Sequence, residues 1–376
     1  MASLSQRMKL FGGLLTTRRA MTGPLYVDVA MTNRCNLHCL GCPFHSPHMA
    51  PGLLGNKGGA GDIPLPMFRR LCDELSGMGT RQLVLQGAGE PLLVRGLEDM
   101  IAHAKQRGFH ITVLSNGTLI DAAKARSLAE AGLDAIKVSL WAASPEQYEL
   151  NYPGSKGETF HSVIDGLREM VAARRGRRAP KVGVYHVITG NNCEQLETMV
   201  ELARTIGLDG LYFAPLYSPR GAVADFQLDR EQQQWVFGWL REVRPRLRAL
   251  GMSENIRQCL FRWRVPEPLH NYMPCYVAWF HARISHNGLV ESCTRCGGKK
   301  PFGDLNEASF PEIWNGPAVQ AFRRQTMTRE GLAKLEDRCD CSMCCYSYDI
   351  HLVHRYFRWF RRLALATRKT PMEVAT

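Results

Sequence analysis

No apolar run in the 376 residues approaches the roughly 18 that a bilayer-spanning helix needs. The N-terminus holds Arg7, Lys9, Arg18 and Arg19, but no apolar segment ending in small residues that would serve as an export signal. These absences set the expectation of a cytoplasmic chain, where cysteine-rich stretches serve metals more often than disulfides. Acids are missing from residues 1–24, which carry +4, and residues 350–376 set six Lys/Arg against Glu373 alone. The formal net charge is +12, so the body between the ends carries only +3. A nucleic-acid binder would be basic across its body. The basic ends therefore read as local patches, and no nucleic-acid partner is expected.

What the chain does have is cysteine, 13 in all, in a composition with 45% hydrophobic and 22% charged residues that suits a globular protein. The length accommodates one barrel-sized domain and a smaller one. Residues 25–31, 82–86, 110–114, 135–140, 182–188 and 210–214 read as short apolar strands. Helical spacing covers 66–79, 97–106, 120–131, 160–173 and 193–206. This alternation predicts an α/β fold, a parallel sheet curled into a partial (β/α)6 TIM-like barrel, with its chemistry at the C-terminal strand ends. Residues 43–66 are too rich in Gly and Pro for a regular element and read as a flap or an insertion.

The first strand runs into Cys35, Cys39 and Cys42, in C-x3-C-x2-C order. Three thiolates on one loop can hold a cubane cluster and leave its fourth iron open. Zinc is the alternative, with His38, His45 or His48 supplying a fourth ligand. The spacing resembles the signature of the radical S-adenosylmethionine (SAM) superfamily. The resemblance implies that the open iron chelates SAM, and that an electron from the cluster cleaves it to a 5′-deoxyadenosyl radical. It also implies an electron donor such as a flavodoxin or ferredoxin. Gly87-Ala88-Gly89-Glu90 at the second strand resembles the family's glycine–glutamate motif for the amino group of SAM. Ser115-Asn116-Gly117-Thr118 is similar to the segment near the ribose, with a helix N-cap as the plain alternative. Ser139 matches the position that reaches the SAM carboxylate, and Ile188 is carried over as an adenine contact. Trp141-Ala142 replaces the Asp-Gly of many relatives, so Trp141 is expected to form an apolar wall. Lys137 should share a face with Ser139 and pair with Glu90, while His186 reads as a packed residue more readily than as a base.

The C-terminal part holds Cys275, Cys293, Cys296, Cys339, Cys341, Cys344 and Cys345. Residues 275–293 read as strand, turn at His286-Asn287-Gly288, strand. A Phe302-Gly303-Asp304-Leu305 stretch, a short helix at 310–315 and Cys341-x2-Cys344 follow. The order resembles the SPASM/twitch domain of radical SAM enzymes, a small α+β module. That resemblance implies one auxiliary 4Fe–4S cluster on Cys275, Cys293, Cys341 and Cys344. Zinc remains the rival, Cys339 can replace Cys341, and Cys296 and Cys345 are spare, read as incidental or supporting thiols ahead of hydrogen-atom donors to a substrate radical.

The expected organisation is a basic extension (1–24), the barrel (25–217), a helical bridge (218–269), the auxiliary module (270–348) and a basic amphipathic helix with tail (349–376). The last is expected to dock on the body, with contact to a membrane surface or to a phosphorylated substrate as the alternatives. The function expected first is hydrogen abstraction from a polar small molecule (a sugar, cyclitol or nucleoside) for dehydrogenation or epimerisation. Modification of a ribosomally made peptide is the second reading. A metal-stabilised binding protein without catalysis is a third, of another class.

Overall fold

Burial alternates along residues 82–86, 110–115 and 135–139, which face helices on one side and the barrel interior on the other, while 26–30 and 210–215 are buried almost throughout. β1 (Tyr26–Ala30), β2 (Gln82–Gln86), β3 (His110–Ser115), β4 (Ala135–Ser139), β5 (Lys181–Ile188) and β6 (Gly210–Pro215) run parallel in chain order. The fold is taken from a computed structural model that describes residues 4–17, 19–49, 59–265, 268–294, 296, 301–335, 339–342 and 344–367. Helices α2 (Leu65–Gly77), α3 (Leu97–Gln106), α4 (Ala122–Glu130), α5 (Pro145–Asn151), α6 (Gly157–Ala173) and α7 (Leu196–Ile206) fill the connections. Local signals agree with these bounds. α3 carries Glu98 and Asp99 in its first turn and His103 and Lys105 in its last, matching the helix dipole. α7 stops where Gly207 adopts a left-handed conformation.

α8 (Arg230–Ala249), opened by a capping box between Asp229 and Gln232, and α9 (Ile256–Arg264) bridge to the C-terminal part. There α10 (Val277–Phe280) leads into β7 (His281–Ile284), β8 (Leu289–Glu291) and the two-residue β9 (Gly303–Asp304). These strands do not stand apart from the barrel. β7 pairs parallel with β1, Val27 opposite Ala282, and the whole forms one nine-stranded sheet in the order β6-β5-β4-β3-β2-β1-β7-β8-β9. The β1 edge of a six-stranded open barrel would leave its backbone groups unpaired, and the fully buried β7 covers it. Helices α11 (Phe310–Trp314), α12 (Pro317–Thr326), α13 (Arg329–Ala333) and α14 (Ser347–Thr367) complete the chain.

The N-terminal extension, read only as basic, contains α1 (Leu4–Thr16), whose Leu10 and Leu14 are buried. A Cβ on Gly13 would lie 3.3 Å from the Trp279 ring, so the glycine allows the helix to seat closely on α10. Among the described residues, no helix is long and apolar enough to cross a membrane.

Candidate functional site

The cysteine loop leaves β1 and is fixed by its own polar side chains. Asn33 Nδ2 donates to the Gly59 carbonyl (3.2 Å) and its Oδ1 accepts from the Gly61 amide (2.9 Å). Arg34 pairs with Asp62 at 2.6 Å. The described flanks of the expected flap are thus anchored to the strand end, while residues 50–58, with Gly52, Gly55 and Gly58, lie outside the described residues. Cys35, Cys39 and Cys42 face one another closely enough that Cys39 feels both of the others. Burial raises the pKa of all three thiols, opposed at Cys35 by amides of Leu37 and Asn36 and at Cys42 by those of Phe44 and His45. Amides aimed at sulfur stabilise thiolates once a cation draws off the protons. Of the histidines the zinc alternative would use, two have a ring nitrogen at a carbonyl and the third packs on an aromatic ring. His45 Nε2 meets the Ala88 carbonyl (2.6 Å), His38 Nδ1 the His45 carbonyl (3.1 Å), and His48 lies against Phe226. Among the described residues, no three His, Cys, Asp or Glu side chains converge as around a single ion.

The Gly87–Glu90 turn is pressed onto this loop. A Cβ on Gly89 would lie 2.0 Å from the Arg34 carbonyl oxygen, and one on Gly87 2.9 Å from that of Thr32. The Glu90 amide donates to the same Arg34 carbonyl (2.8 Å). The Glu90 carboxylate is buried and accepts from the Leu92 amide (2.9 Å), Ser115 Oγ (2.8 Å) and the Asn116 amide (2.7 Å). Burial raises its pKa even against these three donors. Glu90, Ser115 and Asn116 therefore form an internal strut between β2 and β3. Asn116 extends the strut to the cysteine loop, donating to Asn36 Oδ1 (2.8 Å). It caps no helix: α4 begins after Asp121, which accepts from the Lys124 amide.

The expected Lys137–Glu90 pair does not form. Lys137 Nζ instead sits 3.7 Å from the centroid of the Tyr212 ring, and burial lowers its pKa. All of Glu90's described partners are neutral donors from the turn and the end of β3, and the lysine lies instead against an aromatic ring two strands along the sheet.

A cavity of about 350 Å³ opens at the strand ends. Gly41, Pro43, Gly87, Ser139 and Trp141 line it together with Tyr185, Val187, Leu216 and Tyr217. The C-terminal half adds Arg262, Arg283, Thr294 and Cys345 to the lining. Trp141 does wall the cavity, its Nε1 donating to Ser139 Oγ (2.9 Å) and its carbonyl held by Asn151 and Asn192. Ile188 lines a separate cavity of about 160 Å³ with Gln227 and Trp263, and Leu216 borders both.

Sequence reasoning did not find Arg262 or Arg283. Arg283 was visible as a charge in a fully buried strand, where it pairs with Glu291. Arg262, which hydrogen-bonds Tyr185, carried no signal in a helix read as a bridge.

His186 is buried, its Nδ1 2.9 Å from the Leu140 carbonyl, and burial lowers its pKa to about 4. It is neutral at pH 7 and packed, as expected. A histidine depressed in the folded state gives stability that is complete above its unfolded pKa near 6.5 and lost as pH falls toward 4. The loss is roughly 3 kcal/mol. Urea unfolding of wild type and His186→Gln across that range should show the wild type losing this extra stability while the variant does not.

In the second cysteine field Cys275, Cys293 and Cys344 are buried, and Cys344 feels Cys341, Cys293 and Cys345. Cys275 in turn feels Cys344 and Cys293. Burial drives the Cys275 and Cys344 thiols well up. Cys339, considered as a substitute ligand, is instead joined to Cys296 in a disulfide, a pairing not expected from the sequence. Cys345 is exposed and is the cysteine of this field that reaches the cavity wall.

Comparison with known proteins agrees with this arrangement. The profile of the Radical SAM superfamily matches residues 29–203, and that of the SPASM iron–sulfur cluster-binding domain matches 275–346. The chain is 32% identical over 281 residues to a probable GTP 3′,8-cyclase of Methanopyrus kandleri, covering 71% of this chain and 80% of the relative. It is 26% identical over 318 residues to a PqqA peptide cyclase of Granulibacter bethesdensis, covering 80% and 76%. Among solved structures, Streptococcus suis SuiB bound to its precursor peptide SuiA superposes with a TM-score of 0.63 at 15% identity, over 91% of this chain and 74% of SuiB.

The chain belongs to the radical SAM superfamily, with a C-terminal SPASM-type auxiliary domain. Its cofactors are a SAM-binding 4Fe–4S cluster, an auxiliary iron–sulfur cluster and SAM. The donor set fits them: two groups of thiols, glycines that a Cβ would block, and a cavity between.

Proposed function

We propose that this radical SAM enzyme modifies a side chain of a ribosomally made peptide. The observation that carries the reading is a cavity lined both by Gly87 and Ser139 at the strand ends and by Arg283, Thr294 and Cys345 of the auxiliary part. At about 350 Å³ it stands at the small end of ligand sites, and its lining joins the strand ends assigned to SAM with residues of the C-terminal part. The match to PqqA peptide cyclases over most of both chains supports a peptide over the sugar, cyclitol or nucleoside first expected.

In this reading Cys35, Cys39 and Cys42 hold the SAM cluster, and Cys275, Cys293, Cys341 and Cys344 the auxiliary one. The Gly87–Gly89 main chain and Ser139 Oγ orient SAM. Glu90, Ser115 and Asn116 act one step back, fixing the glycine turn on the cysteine loop. When bound, the cluster and SAM supply a hydrogen-abstracting radical, fed by a flavodoxin- or ferredoxin-type donor. The chain's part is to position and to exclude water. Trp141, Pro43 and Leu216 supply apolar lining, while Arg262 and Arg283, the latter paired with Glu291, supply guanidinium groups.

A nucleotide is the second reading, favoured by the GTP cyclase relative. One experiment separates the two. Anaerobic turnover with a deuterated candidate precursor peptide should put deuterium into 5′-deoxyadenosine and change the peptide's mass. Label arriving from deuterated GTP, and none from the peptide, would replace the first reading by the second.

A further inference from the structure

The basic ends, far apart in sequence, meet on one surface. α1 packs beside α14, with the Phe11 and Tyr356 rings 6.4 Å apart. α1 buries Leu10 and Leu14, yet Leu4, Met8 and Leu15 project from it at 76%, 67% and 46% exposure. Their spacing of four and seven residues makes a stripe along one side of the helix. Across the Phe11–Tyr356 contact the stripe meets Tyr356 and Trp359 of α14, each more than half exposed. Exposed cations accompany it: Arg7 and Lys9 on α1, Arg355 and Arg358 on α14. α1 holds no acid, and the single acid of α14, Asp349, is largely buried and accepts from the Tyr26 hydroxyl at 3.4 Å.

Two open grooves border α14, of about 640 and 660 Å³. Arg355 and Arg358 line the first, and Arg324, Arg329 and Arg358 the second, with no acid in the lining of either. Neither groove touches the candidate active-site cavity.

We infer that the joined face of α1 and α14 is a docking surface for an anionic phospholipid bilayer. Leu4, Met8, Leu15 and Trp359 enter the headgroup–acyl boundary, and the arginine-lined grooves take headgroup phosphates. Charge complementarity identifies the occupant. Anionic lipid supplies the acids this face lacks, each Lys or Arg near such a surface contributing attraction. The projecting aliphatic side chains, which a free phosphate or a nucleic acid would leave in water, gain by burial there. Tyr and Trp beside Arg are the side chains that settle at a membrane interface, with an apolar body and a polar end. Among the described residues no helix is long and apolar enough to cross a membrane, so the contact lies in the plane of the surface. Such docking would hold the enzyme on the membrane whatever its substrate.

Flotation of the full-length, cluster-loaded chain with vesicles tests this, comparing pure phosphatidylcholine with vesicles holding about 30% phosphatidylglycerol. Partitioning onto the anionic vesicles should be at least about tenfold stronger and should weaken with salt. Arg355→Glu with Arg358→Glu should lower it at least about tenfold. Leu4→Ser, Met8→Ser and Trp359→Ser together should lower it by a similar factor while keeping the salt dependence. Trp235→Ser, an exposed tryptophan on α8, should change nothing. Iron content and 5′-deoxyadenosine formation of every variant should match wild type, which reports that they fold. Equal partitioning onto both vesicle types, or indifference to the charge reversals, would overturn the inference. Binding of a polyglutamate peptide as tightly as vesicles, unaffected by the apolar substitutions, would assign the face to an acidic protein segment instead and also overturn it.

Discussion

Cys39→Ala is expected to abolish 5′-deoxyadenosine formation from SAM and reductant, a fall of roughly four orders of magnitude or to background, because the cofactor carries the difficult chemistry. Cys344→Ala is expected to leave that cleavage largely intact while peptide product disappears. The contrast follows from position. Cys39 sits with Cys35 and Cys42 on the loop after β1, against the Gly87–Glu90 turn. Cys344 lies with Cys275 and Cys293 in the C-terminal field, and the wall contributed by that field separates it from the SAM side of the cavity. Neither substitution removes much packed volume, and each should cost only about 1 kcal/mol of apoprotein stability. Chromatographic quantification of 5′-deoxyadenosine and of product in the same reaction checks both. Equal loss of cleavage in the two variants would mean that the fields do not act separately.

Gly89→Ala is expected to damage the site without touching a thiol. Its Cβ would stand 2.0 Å from the carbonyl oxygen of Arg34 and 2.6 Å from that residue's carbonyl carbon and nitrogen. These are backbone atoms, so no side-chain rotation relieves the overlap. Arg34 immediately precedes Cys35, so the displacement passes directly to the cysteine loop. Stability should fall by about 2–3 kcal/mol, and SAM-dependent turnover by about 10²-fold, the cost of a shift near 1 Å at a reacting centre. Gly77→Ala is the matched control. It closes α2, nothing lies within 4 Å of its Cβ position, and alanine there should add about 0.5 kcal/mol. Thermal unfolding and the SAM dependence of the rate, measured on both variants, check the pair.

The six barrel strands were legible because each repeats a short apolar pattern between helical segments, and β2 begins and ends where its pattern does. Long-range pairing left no such trace. Nothing local to residues 281–284 announces that they lie beside residues 26–29, so the union of the two parts in one sheet came only from the fold. Gly12 and Gly13 obscured α1, where a close approach to Trp279 outweighs poor helix propensity. At the site, the motif residues lie in turns that the fold packs against the cysteine loop, and their bonding was not legible. Glu90 and Asn116 have the chemistry of ligand contacts, and the fold surrounds one with three buried donors and sets Asn36 beside the other. Period two placed Lys137 inside the barrel but could not choose between Glu90 and Tyr212 as its neighbour. Arg262 reaches the cavity from a helix whose amphipathic pattern reads as ordinary packing.

Counting iron and acid-labile sulfide on the anaerobically reconstituted chain, beside the Cys35/Cys39/Cys42→Ala triple variant, tests the two-cluster arrangement most directly. The arrangement predicts about eight of each per wild-type chain and about four in the variant, at four per cubane cluster. Zinc in place of iron at the trio, or an iron content that the triple substitution leaves unchanged, would contradict it.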